Sequence, residues 1–251
     1  MCGKAPGMES QEYALMDAVE HQLWWYRVLH LHLTDALKPA QGRLLDAGCG
    51  TGGFLARLHE ARPDLVLEGL EFDPNAAAIA AEKAQATITQ GSILAMPYPP
   101  ARFDAAISAD VLCHDGVDPA QALAELHRVL KPDGLLVLNM PAYAWMASAH
   151  DRRVHNARRT TPGEMRRWLA QAGFVDVQVR FWNSLLFPAM VLQRKILARG
   201  DAASDVAMIS PNINAILLAI ARMERHLPAL PWGGSILATA RLPRSSSDTN
   251  A

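Results

Sequence analysis

Leu44-Leu45-Asp46-Ala47-Gly48-Cys49-Gly50-Thr51-Gly52-Gly53 runs a short apolar strand into glycines at alternate positions, with a helix-forming segment behind them. Glycine takes positive φ without penalty and lets a ligand approach where a Cβ would collide. The free N–H groups at the start of the following helix add a weakly positive rim. About 20 residues further on, Glu71 closes the next apolar run, Leu65 to Leu70, where a ribose-binding carboxylate sits in nucleotide folds of this kind. Strand, glycine turn, helix and a second acidic strand end together predict a nucleoside-binding crevice.

The acidic residue before the glycines narrows the choice of nucleoside. A diphosphate beside Asp46 would suffer like-charge repulsion in a partly desolvated crevice, whereas a cationic sulfonium and an α-amino group would be attracted. A nicotinamide oxidoreductase, which needs a diphosphate-binding turn, is therefore disfavoured. At Asp46 to Gly52 the chain resembles the class I S-adenosylmethionine-dependent methyltransferases, type 11 branch. The resemblance continues through Glu71, Gly91-Ser92-Ile93, Pro97, Phe103-Asp104 and Arg128-Val129-Leu130-Lys131-Pro132-Asp133-Gly134, so it covers most of the chain. It implies S-adenosylmethionine as cofactor. By that resemblance Asp46, Gly48 and Gly50 hold the methionine part, Glu71 the ribose hydroxyls, Phe72 the adenine face and Ser92-Ile93 the adenine edge, with Asp110 and Leu112 under the cofactor. Many members carry a Glu-His pair after the fourth strand. Here Cys113 precedes His114, which leaves His114 as a candidate catalytic base beside the alternative of a structural histidine, and Cys113 as packing.

The chain of 251 residues, 20% of them charged, suits one α/β core with an added lobe. A net charge of −1 gives no reason to expect nucleic acid as a partner. The three cysteines have no metal-ligand spacing, so neither a metal site nor a disulfide framework is expected, and a reducing cytoplasm fits. The absence of an apolar leader or a bilayer-length run predicts at most peripheral membrane contact. Oligomeric state is not legible.

Strands alternating with helices predict a Rossmann-like, doubly wound α/β sheet of seven strands, mostly parallel with an antiparallel last strand. Residues 1–40 are expected as an N-terminal helical cover, with a helix from Gln11 to Leu37. Residues 41–182 form the cofactor-binding core, 183–234 a helical insertion, 235–242 the last core strand and 243–251 a disordered tail. Asp73-Pro74 and Asp118-Pro119 read as helix starts, and Thr161-Pro162-Gly163-Glu164 as a capping box. In the insertion, Pro188 interrupts an apolar run. Ile213, Ile216, Leu217, Ile220, Met223 and Leu227 form an apolar stripe expected to pack on the sheet or to roof an apolar substrate.

Methyl transfer from a sulfonium needs positioning, exclusion of water and, for some acceptors, removal of a proton. After the fifth strand come Pro141-Ala142-Tyr143-Ala144-Trp145, then His150-Asp151 and Arg158-Arg159. With Trp24-Trp25 and Leu186-Phe187-Pro188, this segment resembles a bacterial subgroup of the same branch. His150 and Asp151 are candidates to orient or deprotonate the acceptor, and Tyr143, Arg158 and Arg159 to bind it, since paired guanidinium groups suit a carboxylate or phosphate. The alternative is an ion-pair network that ties the loop to Asp151 or Glu125. The expected acceptor is a small or amphiphilic metabolite, carboxylated or lipid-linked. A catalytically silent cofactor-binding protein is the other reading.

Overall fold

The computed structural model describes residues 20–148, 151, 156–194 and 210–244. Seven strands form one sheet: β1 (Arg43–Ala47), β2 (Val66–Glu71), β3 (Thr87–Gln90), β4 (Phe103–Ala109), β5 (Leu130–Pro141), β6 (Val175–Trp182) and β7 (Ser235–Arg241). Their order is β3-β2-β1-β4-β5-β7-β6, and β7 alone runs antiparallel to its neighbours. The helices are α1 (Trp24–Ala36), α2 (Gly53–Ala61), α3 (Pro74–Lys83), α4 (Pro119–Val129), α5 (Pro162–Gln171), α6 (Phe187–Leu192) and α7 (Pro211–Glu224). Because β1 leads outward to β2 while β4 leads to β5 on the other side, the strand order reverses between β1 and β4. That reversal opens a crevice at their carboxyl ends.

Local chemistry sets these boundaries. Asp73 accepts from the backbone N–H groups of Asn75 and Ala76, Asp118 from that of Ala120, and a proline follows each at the first turn. The box at α5 is complete: Thr161 and Glu164 each bond the other's backbone N–H. Two apolar clusters cover the faces of the sheet. One packs α4 and α5 through Leu123, Leu126, Val129, Met165 and Leu169; the other packs α1 and α2 through Val28, Leu29, Leu33, Leu55 and Leu58.

Four elements differ from the sequence reading. Glu20 to Gln22 form a turn and the helix begins at Trp24; the part of the predicted helix before residue 20 lies outside the described residues. Strand β5 begins at Leu130 rather than Leu135, because Leu130 pairs with Phe103 before the register shifts across the Lys131–Gly134 turn. The insertion's apolar stripe is split: Ile213, Ile216 and Met223 are each more than half exposed, while Leu217 and Ile220 pack against the core cluster in which Leu218 and Ala221 are buried. Side-chain anchors set this rotation. Asn214 bonds the Trp24 N–H and the Gln22 carbonyl, and Arg225 pairs with Asp35, so α7 lies along α1, with Leu218 and Ala221 in the same core cluster as Trp182 and Leu237 of the sheet. Pro188 stands in the first turn of α6, which it starts instead of breaking. The tail beyond Arg244 lies outside the described residues.

Candidate active site

At the end of β1, Gly48 adopts φ +98°, and its N–H and that of Cys49 both donate to the Leu70 carbonyl, at 2.7 and 3.0 Å. A Cβ on Gly48 would stand 2.2 Å from Val111 Cγ2, so this position excludes other residues by sterics as well as by φ. Gly50, at φ +55°, donates its N–H to Glu71 Oε2 at 2.8 Å, while the Asp73 N–H donates to Oε1 at 2.9 Å. The Glu71 carboxylate therefore braces the turn from the neighbouring strand end. Beside it Phe72 is 45% exposed on the rim. The Gly91 N–H donates to the Glu71 carbonyl, which brings Ser92 and Ile93 to the same edge; Ile93 itself is buried in the core cluster that includes Leu112.

Sequence reasoning missed an anchor over this turn. Glu20 is buried and accepts from Thr51 Oγ1 at 3.1 Å and from Lys83 Nζ at 2.5 Å. Its carboxyl group is packed onto Gly53, the first residue of α2, where a Cβ would meet it at 2.2 Å. The partly positive helix start favours an anion there. No spacing in the sequence marked Glu20, because its partners are 31 and 63 residues away.

Three carboxyl groups near the turn have raised pKa values. Burial, and secondarily the charge of Glu71, raises the Asp46 pKa to about 7. Burial raises Glu71 in the same direction against its backbone hydrogen bonds, and raises Asp110 to about 7. A raised folded-state pKa means that the carboxyl is more stable protonated when folded. Its contribution is fully present below the unfolded pKa and declines as pH climbs through the folded value. Thermal denaturation of the unliganded protein should therefore show a Tm contribution from Asp46 that falls between pH 4 and pH 7. In Asp46→Asn that fall should be reduced, while S-adenosylmethionine binds about tenfold more weakly, as for the loss of one pKa unit of charge interaction. An unchanged Tm profile in the variant would show that Asp46 is not the buried acid.

Asp110 begins the loop after β4 in a strained left-handed conformation, φ +55°. Its N–H donates to the Asn139 carbonyl, and Asn139 Nδ2 donates back to Asp110 Oδ1 at 3.0 Å. Asn139 Oδ1 in turn accepts from Trp182 Nε1 at 2.8 Å. The fully buried Trp182 ring lies 6.1 Å from Trp25 and 5.0 Å from His32, so one leg of the double tryptophan reaches this relay. Asn139 was the missed signal here: it is the single polar residue of Leu135 to Met140.

The segment after β5 is tightly committed. Arg158 Nη1 donates to the carbonyls of Leu112, His114 and Val117 at 2.9, 3.0 and 2.6 Å. Arg159 grips Asp151 with Nε and Nη2 at 2.8–3.0 Å and reaches the Ala142 carbonyl. Ser148 donates to Asp151 through both N–H and hydroxyl, and the Arg159 charge helps to hold the Asp151 carboxyl below its ordinary range. Cys113 is fully buried, its thiol 3.1 Å from Asn156 Oδ1, and burial pushes its pKa far up, away from nucleophilic use. His114 is part-buried and pairs with Asn156 by a backbone bridge. His150 lies outside the described residues. Tyr143 joins an aromatic group: its ring stacks on Phe181 at 5.3 Å and lies 5.6 and 5.5 Å from Trp145 and Phe187. Trp145 is 51% exposed, so this group presents an apolar face at the carboxyl ends of β5 and β6. A groove of about 530 Å³ between Asp35, Lys38, Arg180 and Arg241 opens at the other end of the strands, beside Leu135 at the amino end of the inward-facing part of β5, and takes no part in this site.

Residues 45–138 match the family model described as a methyltransferase domain. Over that segment the chain is similar to methyltransferase domains. A demethylmenaquinone methyltransferase of Deinococcus radiodurans is 39% identical over 113 residues, 41% of this chain and 45% of that protein. A 24-methylenesterol C-methyltransferase of Oryza sativa is 32% identical over 130 residues, 49% of this chain and 34% of that protein. The chain thus spans less than half the length of these two curated relatives. Among solved structures, a possible histamine N-methyltransferase of Thermotoga maritima shares the fold, with a TM-score of 0.61 at 18% identity, covering 92% of this chain and 95% of that one. The matched segment begins within β1, takes in the glycine turn, β2, β3 and β4, and stops within β5. Arg158, Arg159 and the aromatic group lie beyond it.

Proposed function

We propose that this chain transfers the methyl group of S-adenosylmethionine to a small amphiphilic acceptor whose apolar part lies against the aromatic group. The observation that carries this reading is the pairing, along one edge of the sheet, of the braced glycine turn with the aromatic group of Tyr143, Trp145, Phe181 and Phe187, whose exposed member is Trp145. The cofactor's fit rests on charge. Buried carboxyls at Asp46 and Glu71 would repel a diphosphate and would be relieved by an ammonium or sulfonium. Two relatives are named for apolar acceptors, demethylmenaquinone and 24-methylenesterol. No helix among the described residues is long and apolar enough to cross a membrane, and the buried free thiols Cys49 and Cys113 suit the reducing cytoplasm in which we place the protein.

In this reading Asp46, Gly48 and Gly50 serve the methionine end, Glu71 the ribose, Phe72 with Ser92 and Ile93 the adenine, and Leu112 the floor. Arg158, Arg159 and Asp151 hold the acceptor loop in shape rather than touch the acceptor, because their polar groups are already committed. His114 is assigned to take the acceptor's proton where there is one. Incubating the protein with methyl-labelled S-adenosylmethionine and separate lipid and aqueous extracts should put label into an organic-soluble product. Cofactor binding with no labelled product in either fraction would favour the silent protein. Once a product is found, Trp145→Ala should raise the acceptor KM about tenfold while leaving cofactor Kd unchanged, consistent with loss of one aromatic contact surface. A fall in kcat alone would remove Trp145 from the binding face.

A further inference from the structure

The cofactor reading leaves a question of charge at the transfer end. Transfer forms the bond from acceptor to methyl and breaks the bond from methyl to sulfur, whose electron pair stays on sulfur. Sulfur therefore goes from a cation to a neutral thioether, while the ammonium and carboxylate of the methionine part are unchanged. A site that binds donor and product equally leaves the product in place after each turnover, so a group that responds to the sulfur charge alone has a clear use.

The nucleoside is placed toward β2 by Glu71, and the acceptor face stands on β5 and β6. A bound sulfonium would then stand between them, near the carboxyl ends of β1 and β4, which are neighbours in the sheet. Asp110 is the carboxyl at the end of β4. Its Oδ1 is pinned by Asn139 Nδ2, and among the described residues no hydrogen bond to Oδ2 is formed. The surrounding charges do not neutralise it: Arg159 is matched by Asp151 in a close ion pair, and Cys113, in the same loop, holds its proton. Asp46 and Glu71, on β1 and β2, act on each other's side of the crevice, whereas Asp110 feels Asp151 and Arg159 from the acceptor side. Its strained backbone is a further mark of a placed group.

We propose that Asp110 is the specificity residue by which this site tells the charged methyl donor from the spent, uncharged thioether. The proposal rests on the S-adenosylmethionine reading above and deepens it. Asp110 is protonated in part near neutral pH when the crevice is empty, burial having raised it to about 7. A sulfonium beside it favours the carboxylate and displaces the proton; the thioether does not.

The test uses the whole chain with S-adenosylmethionine and S-adenosylhomocysteine, titrated calorimetrically at pH 6, 7 and 8 in buffers of different ionisation enthalpy. The ratio of the homocysteine Kd to the methionine Kd should rise about tenfold from pH 6 to pH 8, the factor of one pKa unit. Near pH 7 the methionine compound should release more protons on binding. Asp46 titrates in the same range, so Asp46→Asn is the control: the pH dependence of the ratio should persist in Asp46→Asn and be lost in Asp110→Asn, and its loss in Asp46→Asn alone overturns the proposal. Asp110→Asn keeps the left-handed conformation, which asparagine tolerates, and the acceptor for Asn139. It should flatten the ratio with pH and remove the extra proton release while moving the homocysteine Kd by less than about threefold, within half a pKa unit. Equal proton release by the two ligands in the unmodified protein overturns the proposal without any variant, as does a wild-type pH dependence in Asp110→Asn. Failure of both ligands to bind the unmodified protein would instead overturn the cofactor reading.

Discussion

Arg159→Ala is expected to lower the unfolding free energy by about 3–5 kcal/mol, the usual result of removing one partner from a buried ion pair. The Arg159 and Asp151 side chains are 8% and 4% exposed, so the truncation strands the carboxylate away from water. Two more donors from Ser148 hold that carboxylate in place, and the Ala142 carbonyl also loses a partner. Thermal or denaturant unfolding measures the loss, which corresponds to about 2–4 °C in Tm for each kcal/mol in a chain of this size. The Asp151 pKa is lowered in the folded state. Its stabilisation is present above the unfolded carboxyl pKa and is lost as pH falls through the folded value, so wild type and variant should converge below about pH 4. A variant of unchanged stability that fails only in acceptor KM would reinstate Arg159 as a substrate-binding residue.

Glu71→Ala should weaken S-adenosylmethionine binding by about 1–3 kcal/mol, the range for losing hydrogen bonds to a charged group. The structure adds a second cause to the lost ribose contact. Both carboxylate oxygens brace backbone N–H groups, one from Gly50 within the turn and one from Asp73, so the variant also loosens the loop that the ligand must find already formed. Glu71→Gln, which keeps one acceptor oxygen, should fall between wild type and alanine in a calorimetric titration. Equal affinities for all three proteins would show that Glu71 serves the fold alone.

The strands were legible because their apolar runs end in punctuation with a physical cause. Asp73-Pro74 and Asp118-Pro119 supply both the cap and the tolerated proline, and Thr161 with Glu164 supplies two reciprocal bonds; none of these depends on distant residues. The glycine turn was legible for the same reason. Arg158 was not: a guanidinium reads alike whether its partner is a ligand phosphate or three carbonyls from the loop after β4, and only the fold decides. The rotation of α7 was hidden similarly. Its apolar residues recur at helical spacing, yet Asn214 and Arg225 choose which sector meets α1. Glu20 left no trace at all, since burying a glutamate requires Thr51 and Lys83 to arrive from separate elements.

The place of β7 sets the order in which the molecule can be completed. This strand emerges last from the ribosome of all the elements described, yet it lies inside the sheet, pairing with β5 on one side and β6 on the other. Until residues 235–241 are made, β5 presents a row of unpaired backbone N–H and C=O groups flanked by apolar side chains and β6 has no strand partner, a condition that invites pairing with other chains. The nascent protein can therefore assemble its cofactor half early but must wait for the roughly sixty residues between the end of β6 and the end of β7, on the order of three to twelve seconds of synthesis, before its acceptor half has a wall to stand on.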